Sequence, residues 1–284
     1  MKWNKWNIAL LWALALVPLV LVGAFYGRLP DQVPLHWGFD GEINGYGGKG
    51  ELFLLAALGP GMALLFQILP RLDPKRRSYQ RFQKYYVATA LVIEAFMAVI
   101  VGVMLAEILR PGTLSIGRVI SVLVGLLFMF LGNLMGKVKP NFFMGIRTPW
   151  TISDPDVWNR THRLGGGLFF LAGLATAASA VLLPERAVFW VVLGGALAAA
   201  LVPIAMSYGI DPIHFGIVMI LNLMIGMLTP PVGMVLFVLS RMTPTPFEKI
   251  CKAMVPFLGM CIIALIIIAL VPPLVTFLPS VMMG

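Results

Sequence analysis

The chain has 284 residues, is 60% hydrophobic and only 12% charged, and has a mean hydropathy of +0.92. A soluble domain has no interior large enough to hide that much apolar surface, so the composition excludes a soluble fold and points to an all-α polytopic membrane protein in contact with a lipid bilayer. The formal charge of +9 is what cytoplasmic loops facing anionic lipid supply in such a chain, and calls for no nucleic-acid partner. Neither the two cysteines, Cys251 and Cys261, nor the three histidines have the spacing of a disulfide scaffold or a metal site, and they imply no cofactor.

Lys2 and Lys5 precede an apolar run from Ile8 to about Tyr26, long enough to span a bilayer. Val22-Gly23-Ala24 resembles a signal-peptidase site, but the run is long for a signal peptide, so an uncleaved anchor is expected. Further spans are expected at about 52–69, 87–109, 115–136, 168–183 and 187–206, with two more apolar regions at about 213–239 and 254–275. Loop 28–51 has two cations, Arg28 and Lys49, against four acids, whereas loop 70–86 has six cations and loop 137–164 has five. The positive-inside rule then places the N-terminus and both basic loops in the cytoplasm and loop 28–51 outside it, across the first six spans.

Loop 28–51 is rich in Pro and Gly, which disfavour helix and favour a compact turn-rich loop. Pro34, His36, Trp37, Asp40 and Gly41 lie in it and present an aromatic ring and a titratable pair near the outer headgroups. They suit either an interfacial plug anchored by Trp37 or a recognition surface for an extracellular peptide.

In the third span, Glu94 lies about 10 Å from the expected helix start by helical rise. An intramembrane carboxylate is expensive and is either a functional group or a neutral one bonded to a neighbouring helix.

Residues 133–166 form the longest polar interval. Ser153 or Asp154 can cap a short helix with Pro155 in its first turn, and Val157, Thr161 and Leu164 then share a face. Asp156 and Arg160 have the spacing of a helical ion pair, and Gly165 to Gly167 are expected to end the helix before the next span. The expectation is a lipid-surface helix with Trp158 among headgroups and Arg160 and Arg163 near phosphates. It is either a structural loop or a docking surface for a cytoplasmic partner.

The region 213–239 is interrupted by Thr229-Pro230-Pro231-Val232-Gly233, since proline removes a donor and clashes with the preceding turn. A simple span would carry Arg241, Lys249 and Lys252 outside. A re-entrant segment would keep them inside, as would a sixth segment that fails to cross, so the path of 187–253 stays open.

Two resemblances follow. The stretches LPDQVPLHWGFDGEINGYGGK and GNLMGKVKPNFFMGIRTPWTISDPDVWNRTHRLGG resemble SdpI-like membrane proteins. The second matches in order and spacing at Gly132, Asn133, Gly136, Lys137, Pro140, Asn141, Gly145, Ile146, Arg147, Thr148, Pro149, Trp150, Trp158, Thr161, His162 and Arg163. This likeness, over about 1–205, implies a membrane protein that protects its bacterium from a secreted toxin peptide. In some members toxin binding is also relayed to a cytoplasmic transcriptional repressor.

From about Pro203 the chain resembles the C-terminal end of the large permease subunit of TRAP transporters, through GIDPIHFG, Asn222-Leu223 and GMLTPPVG. That family implies sodium-coupled uptake of organic acids. A broken helix with Asn222, Thr229, Pro230 and Gly233 exposes carbonyls and a hydroxyl that can ligate Na⁺. Such transporters build one midplane site from two inverted repeats, and only the tail of the second is matched here, with no first-repeat hairpin in 1–205. The chain therefore reads as a chimera of an SdpI-like 1–205 and a TRAP-like 206–284, and Na⁺ is a ligand only if the second part is functional. No enzyme is expected: His36 and His162 fall on opposite membrane faces, and no nucleophile–base set is visible.

Overall fold

The computed structural model describes residues 3–38, 42–229, 234–243 and 245–283. They divide into two compact units, Met1–Ser207 and Tyr208–Gly284. Among the described residues, seven helices are long and apolar enough to cross a membrane: they lie at Lys5–Arg28, Glu51–Leu72, Arg76–Leu109, Ile116–Met135, Pro155–Leu182, Ala187–Ser207 and Phe247–Leu270. The protein is a multi-pass helical membrane protein.

In the first unit, α1 (Lys5–Phe25) begins at Asn4, whose side chain accepts from the Trp6 amide at 3.3 Å. It packs on α2 (Glu51–Leu72) and α3 (Tyr79–Leu109). The approach of α1 to α2 is set by Gly59, where a Cβ would stand 2.6 Å from the Ala15 carbonyl oxygen. Two apolar clusters occupy opposite ends of this trio. One gathers Leu11, Ala63, Tyr79, Phe82 and Tyr86 with Val138 and Trp158; the other gathers Val22, Leu29, Val33, Leu52, Val101 and Leu105.

The helix α3 begins eight residues before the expected span, so Glu94 lies about 22 Å from its start and near its middle. Its last turns are tied to the following turn by the Glu107 carboxylate, which accepts from the Gly112 and Leu114 amides at 2.6 and 3.0 Å.

The second layer is α4 (Ile116–Met135), α6 (Pro155–Leu182) and α7 (Glu185–Ser207), with the short α5 (Pro149–Ser153) between α4 and α6. Without side chains at Gly125, Gly132, Gly166 and Gly173, the α4 and α6 backbones meet. Asp154 caps α6 as expected, accepting from the amides of Asp156 and Val157, with Pro155 at the first position.

Two expectations are corrected here. First, α6 does not stop at Gly165 to Gly167: it runs unbroken from Pro155 to Leu182, with Gly165 and Gly166 as contact points and Gly167 facing open space within the helix. The separate surface helix is therefore part of a long helix. Second, no Asp156–Arg160 ion pair forms; both residues are exposed to solvent screening, where such a pair gains little.

Residues 28–51 hold a feature not read from the sequence, a β-hairpin of β1 (Gln32–Trp37) and β2 (Ile43–Gly48). The register pairs Gln32 with Gly48 and Trp37 with Ile43, with irregularities on either side of His36. Gly47 leaves room for the Leu35 side chain: a Cβ there would meet Leu35 Cδ1 at 2.3 Å, and that side chain would have to shift. Lys49 closes the base by an ion pair to Asp31 at 2.8 Å.

The second unit comprises α8 (Pro212–Leu228), α9 (Met234–Met242), α10 (Phe247–Leu270) and α11 (Pro273–Met283). The helix α8 ends at Leu228 with Thr229 in extended backbone, and α9 begins at Met234; Pro230 to Gly233 of the expected interruption lie outside the described residues. The Asp211 carboxylate caps α8, accepting from the Ile213 and His214 amides. The His214 Nε2–H donates to the Ile268 carbonyl at 2.9 Å, a carbonyl that lacks its helical donor because Pro272 has no N–H.

Candidate functional site

The hairpin and the 137–163 segment lie at opposite ends of α3, one against Val101 and Leu105 and the other against Tyr79 and Tyr86. They form two distinct regions.

At the hairpin end, β1, the C-terminal part of α3 and the N-terminal turns of α4 and α7 enclose a cavity of about 360 Å³. Its wall includes Leu35, His36 and Trp37 from the hairpin, Arg118 and Ser121 from α4, and Glu185 and Phe189 from α7. His36 is held by Asn44, whose Oδ1 can only accept; the ring Nδ1–H donates to it at 2.5 Å. Trp37 is half-buried and packs on the apolar cluster below, while His36 is exposed. Pro34 pairs with Tyr46 across the hairpin and is not part of the wall. Asp40 and Gly41 lie outside the described residues.

The charged part of this wall was not anticipated. The Glu185 carboxylate accepts from the Ser115 hydroxyl and lies 3.8 Å from Arg118 Nε. A Cβ on Gly117 would stand 3.3 Å from Glu185 Oε2, so the helix start leaves room for the carboxylate. The cavity thus sets a cation and an anion beside an imidazole and an indole, which can hold a segment carrying both apolar and charged groups. Glu185 is far in sequence from Ser115 and Arg118, and only the packing of α4 against α7 unites them.

The 137–163 segment divides in two. Asn141 is fully buried: its Nδ2 donates to the Lys139 and Met144 carbonyls, and its Oδ1 accepts from the Phe143 and Met144 amides at 2.9 and 2.6 Å. Asp73 supports the same turn, accepting from the Phe142 amide at 2.8 Å and the Tyr79 hydroxyl at 2.9 Å. Thr148 and Thr151 form a reciprocal cap at the start of α5. Gly145 has φ +109°, and a Cβ there would run into His162 Nε2 at 2.3 Å. His162 is fully buried, accepts from the Ile146 amide through Nε2 at 3.0 Å and donates through Nδ1 to the Trp158 carbonyl at 2.8 Å.

Trp158 corrects another expectation. It does not sit among headgroups: it is fully buried, stacks on His162 with centroids 3.9 Å apart and donates its indole N–H to the Val138 carbonyl at 2.9 Å. An indole that finds both a stacking partner and an acceptor inside the protein has no reason to remain at the interface. Thr161 is also buried. Asn141, Thr148, Trp158, Thr161 and His162 therefore build the fold of this end and are not free to dock a partner. Asn133, Lys137, Arg147, Trp150 and Arg163 are exposed, and Pro140 is half-buried.

Glu94 is fully buried on α3, and neither carboxyl oxygen has a hydrogen-bond partner among the described residues. In the second unit Asn222 is exposed, and the Thr229 hydroxyl donates to the Ile225 carbonyl at 2.6 Å, leaving its oxygen lone pairs available. Pro230 and Gly233 lie outside the described residues.

Comparison with known proteins divides the chain in a related way. Residues 13–59 match a domain of unknown function (DUF1648), and residues 137–207 match the SdpI/YfhL protein family. Residues 190–274 match the tripartite ATP-independent periplasmic transporter DctM component. Among curated proteins, the sialic acid TRAP transporter large permease protein SiaM of Vibrio cholerae is 46% identical over 30% of this chain and 20% of its own length. The C4-dicarboxylate TRAP transporter large permease protein DctM of the same organism is 48% identical over 29% of this chain and 18% of its own. The isethionate TRAP transporter permease protein DctMQ of Oleidesulfovibrio alaskensis is 41% identical over 28% of this chain and 13% of its own. The chain spans about a fifth or less of the length of these relatives. No solved structure matches it. The chain is a helical membrane protein in which a stretch that matches the SdpI/YfhL family model runs into a stretch similar to TRAP large permeases, the two matches overlapping over residues 190–207.

Proposed function

We propose that this protein confers immunity to a secreted toxin peptide, which it recognises at the cavity between the hairpin, α4 and α7. The observation that carries the reading is the meeting of His36 and Trp37 with Arg118 and Glu185 around one cavity, at the end of α3 opposite the 137–163 segment. An amphipathic peptide meets there an apolar wall and both signs of charge. The lysine and arginine distribution supports an N-terminus inside the cell and the hairpin outside. The exposed Arg160 and Arg163 then face the side of a cytoplasmic repressor. The test is expression in a susceptible bacterium challenged with a killing peptide. Wild-type protein is expected to protect, and Trp37→Ala and Glu185→Gln to protect less at equal membrane abundance. A wild-type protein that gives no protection against any such peptide removes the reading.

A second reading has its own support, the match of 190–274 to TRAP permeases together with the gap between α8 and α9 at Thr229. We infer that, if this unit acts in transport, it contributes the carbonyls and hydroxyl of a broken helix to a sodium site for organic-acid uptake. Sodium-dependent uptake of a dicarboxylate or sialic acid into vesicles containing the protein tests it. Uptake that is independent of sodium and of the protein excludes it.

A further inference from the structure

Where α4 ends and α6 passes it, the first unit carries a second large groove, about 810 Å³. Three cations, Lys137, Lys139 and Arg163, and two carboxamides, Asn133 and Asn159, face it, and no acidic side chain is among its lining residues. None of the three cations is in an ion pair among the described residues; Lys137 lies over the Tyr85 ring at 5.4 Å. Cations gathered without a counter-charge repel one another, and an anion in the groove relieves that repulsion.

The floor and the far wall say what kind of anion. Gly132, Gly136, Gly166 and Gly167 line the groove and add no side chain to it. A Cβ on Gly167 would meet nothing within 4 Å, so the space there is open. Phe170 and Leu171 continue the wall along the membrane-spanning part of α6, and they are 38% and 61% exposed. A polar, cationic upper part thus leads directly to an apolar lower part along one helix. A small free anion would use only the first; a phospholipid uses both, its phosphate among Lys137, Lys139 and Arg163 and its acyl chain along Phe170 and Leu171. We propose that this groove is a binding site for an anionic phospholipid.

The experiment uses the full chain purified in a zwitterionic detergent, with native mass spectrometry reading lipid retention. Phosphatidylglycerol or cardiolipin is added in one arm, phosphatidylcholine in a second and inorganic phosphate in a third. Retention of the anionic lipids over phosphatidylcholine is expected. Replacing one cation, as in Lys137→Gln, is expected to weaken retention about fivefold. Gly167→Phe is expected to abolish it by filling the groove while keeping every cation. A melting curve unchanged from wild type confirms that each variant is folded. Equal retention by wild type and Gly167→Phe overturns the proposal. So does binding of inorganic phosphate without preference for anionic lipid, which would make the ligand a free anion.

Discussion

Gly132 on α4 and Gly166 on α6 each lie where a Cβ would stand 2.6–2.7 Å from the other's carbonyl oxygen. Gly125 and Gly173 repeat the relationship one heptad away on both helices, at 2.7 and 2.4 Å. In lipid no hydrophobic force drives helices together, so the close backbone approach that glycine permits is a main source of their association. Gly132→Val or Gly166→Val is expected to part α4 from α6 and destabilise the first unit by about 1–3 kcal/mol. Gly167→Ala, on open space, is expected to change little. Thermal unfolding of the purified variants, followed by size-exclusion chromatography, checks the contrast.

Those glycines show where sequence reasoning stops. The apolar runs located the helices, because length and hydropathy are local properties. Whether a glycine ends a helix or receives a neighbour depends on what packs against it, and Gly165 to Gly167 read as a terminator until α4 is placed beside them. Trp158 illustrates the same limit: it reads as interfacial, yet it is fully buried against His162. The hairpin did have a signal. Val33, Leu35 and Trp37 alternate with period two, but Pro34 and the surrounding glycines masked it. Glu185 and Arg118 had none, since their pairing is created by tertiary contact between helices distant in sequence.

His162 is expected to be structural rather than catalytic, since both ring nitrogens are engaged within the protein. His162→Ala leaves the buried Ile146 amide without its acceptor and should cost about 1–3 kcal/mol of stability. Arg160→Gln, at an exposed position on the same helix, should cost almost nothing. Melting temperatures of the two variants, measured in the same detergent, decide the matter; equal values would show that the knot around His162 contributes little.

The base of the hairpin should hold over a wide pH range. The Lys49 ammonium, through its hydrogen bond and its charge, holds the Asp31 carboxyl below its ordinary value, and the Asp31 hydrogen bond raises the Lys49 amine. A carboxyl depressed in the folded state contributes above its unfolded value and stops contributing as pH falls through the depressed one. An amine that is raised contributes below its unfolded value and stops as pH rises through the raised one. The pair is therefore intact between the ordinary carboxylate and ordinary amine ranges and opens only outside them. Both groups are solvent-screened, so the effect is local and weakened by salt. Spin labels at Gln32 and Gly48 should report a constant separation at neutral pH and a widening in acid.

Glu94 sits on the face of α3 that also carries Ala90 and Val101, each a member of a different apolar cluster. It is therefore between the two clusters, with no partner for either oxygen among the described residues. A buried polar group without a partner destabilises the bundle by about 1–3 kcal/mol, which an apolar residue of similar volume removes. Glu94→Leu is expected to raise the melting temperature and to abolish protection against the killing peptide, the pattern of a residue retained for function at the expense of stability. Glu94→Gln, which keeps the shape, should lose protection as well while still reaching the membrane in normal amount. The checks are thermal unfolding in detergent and survival under peptide challenge. Full protection by both variants would leave Glu94 without a functional role.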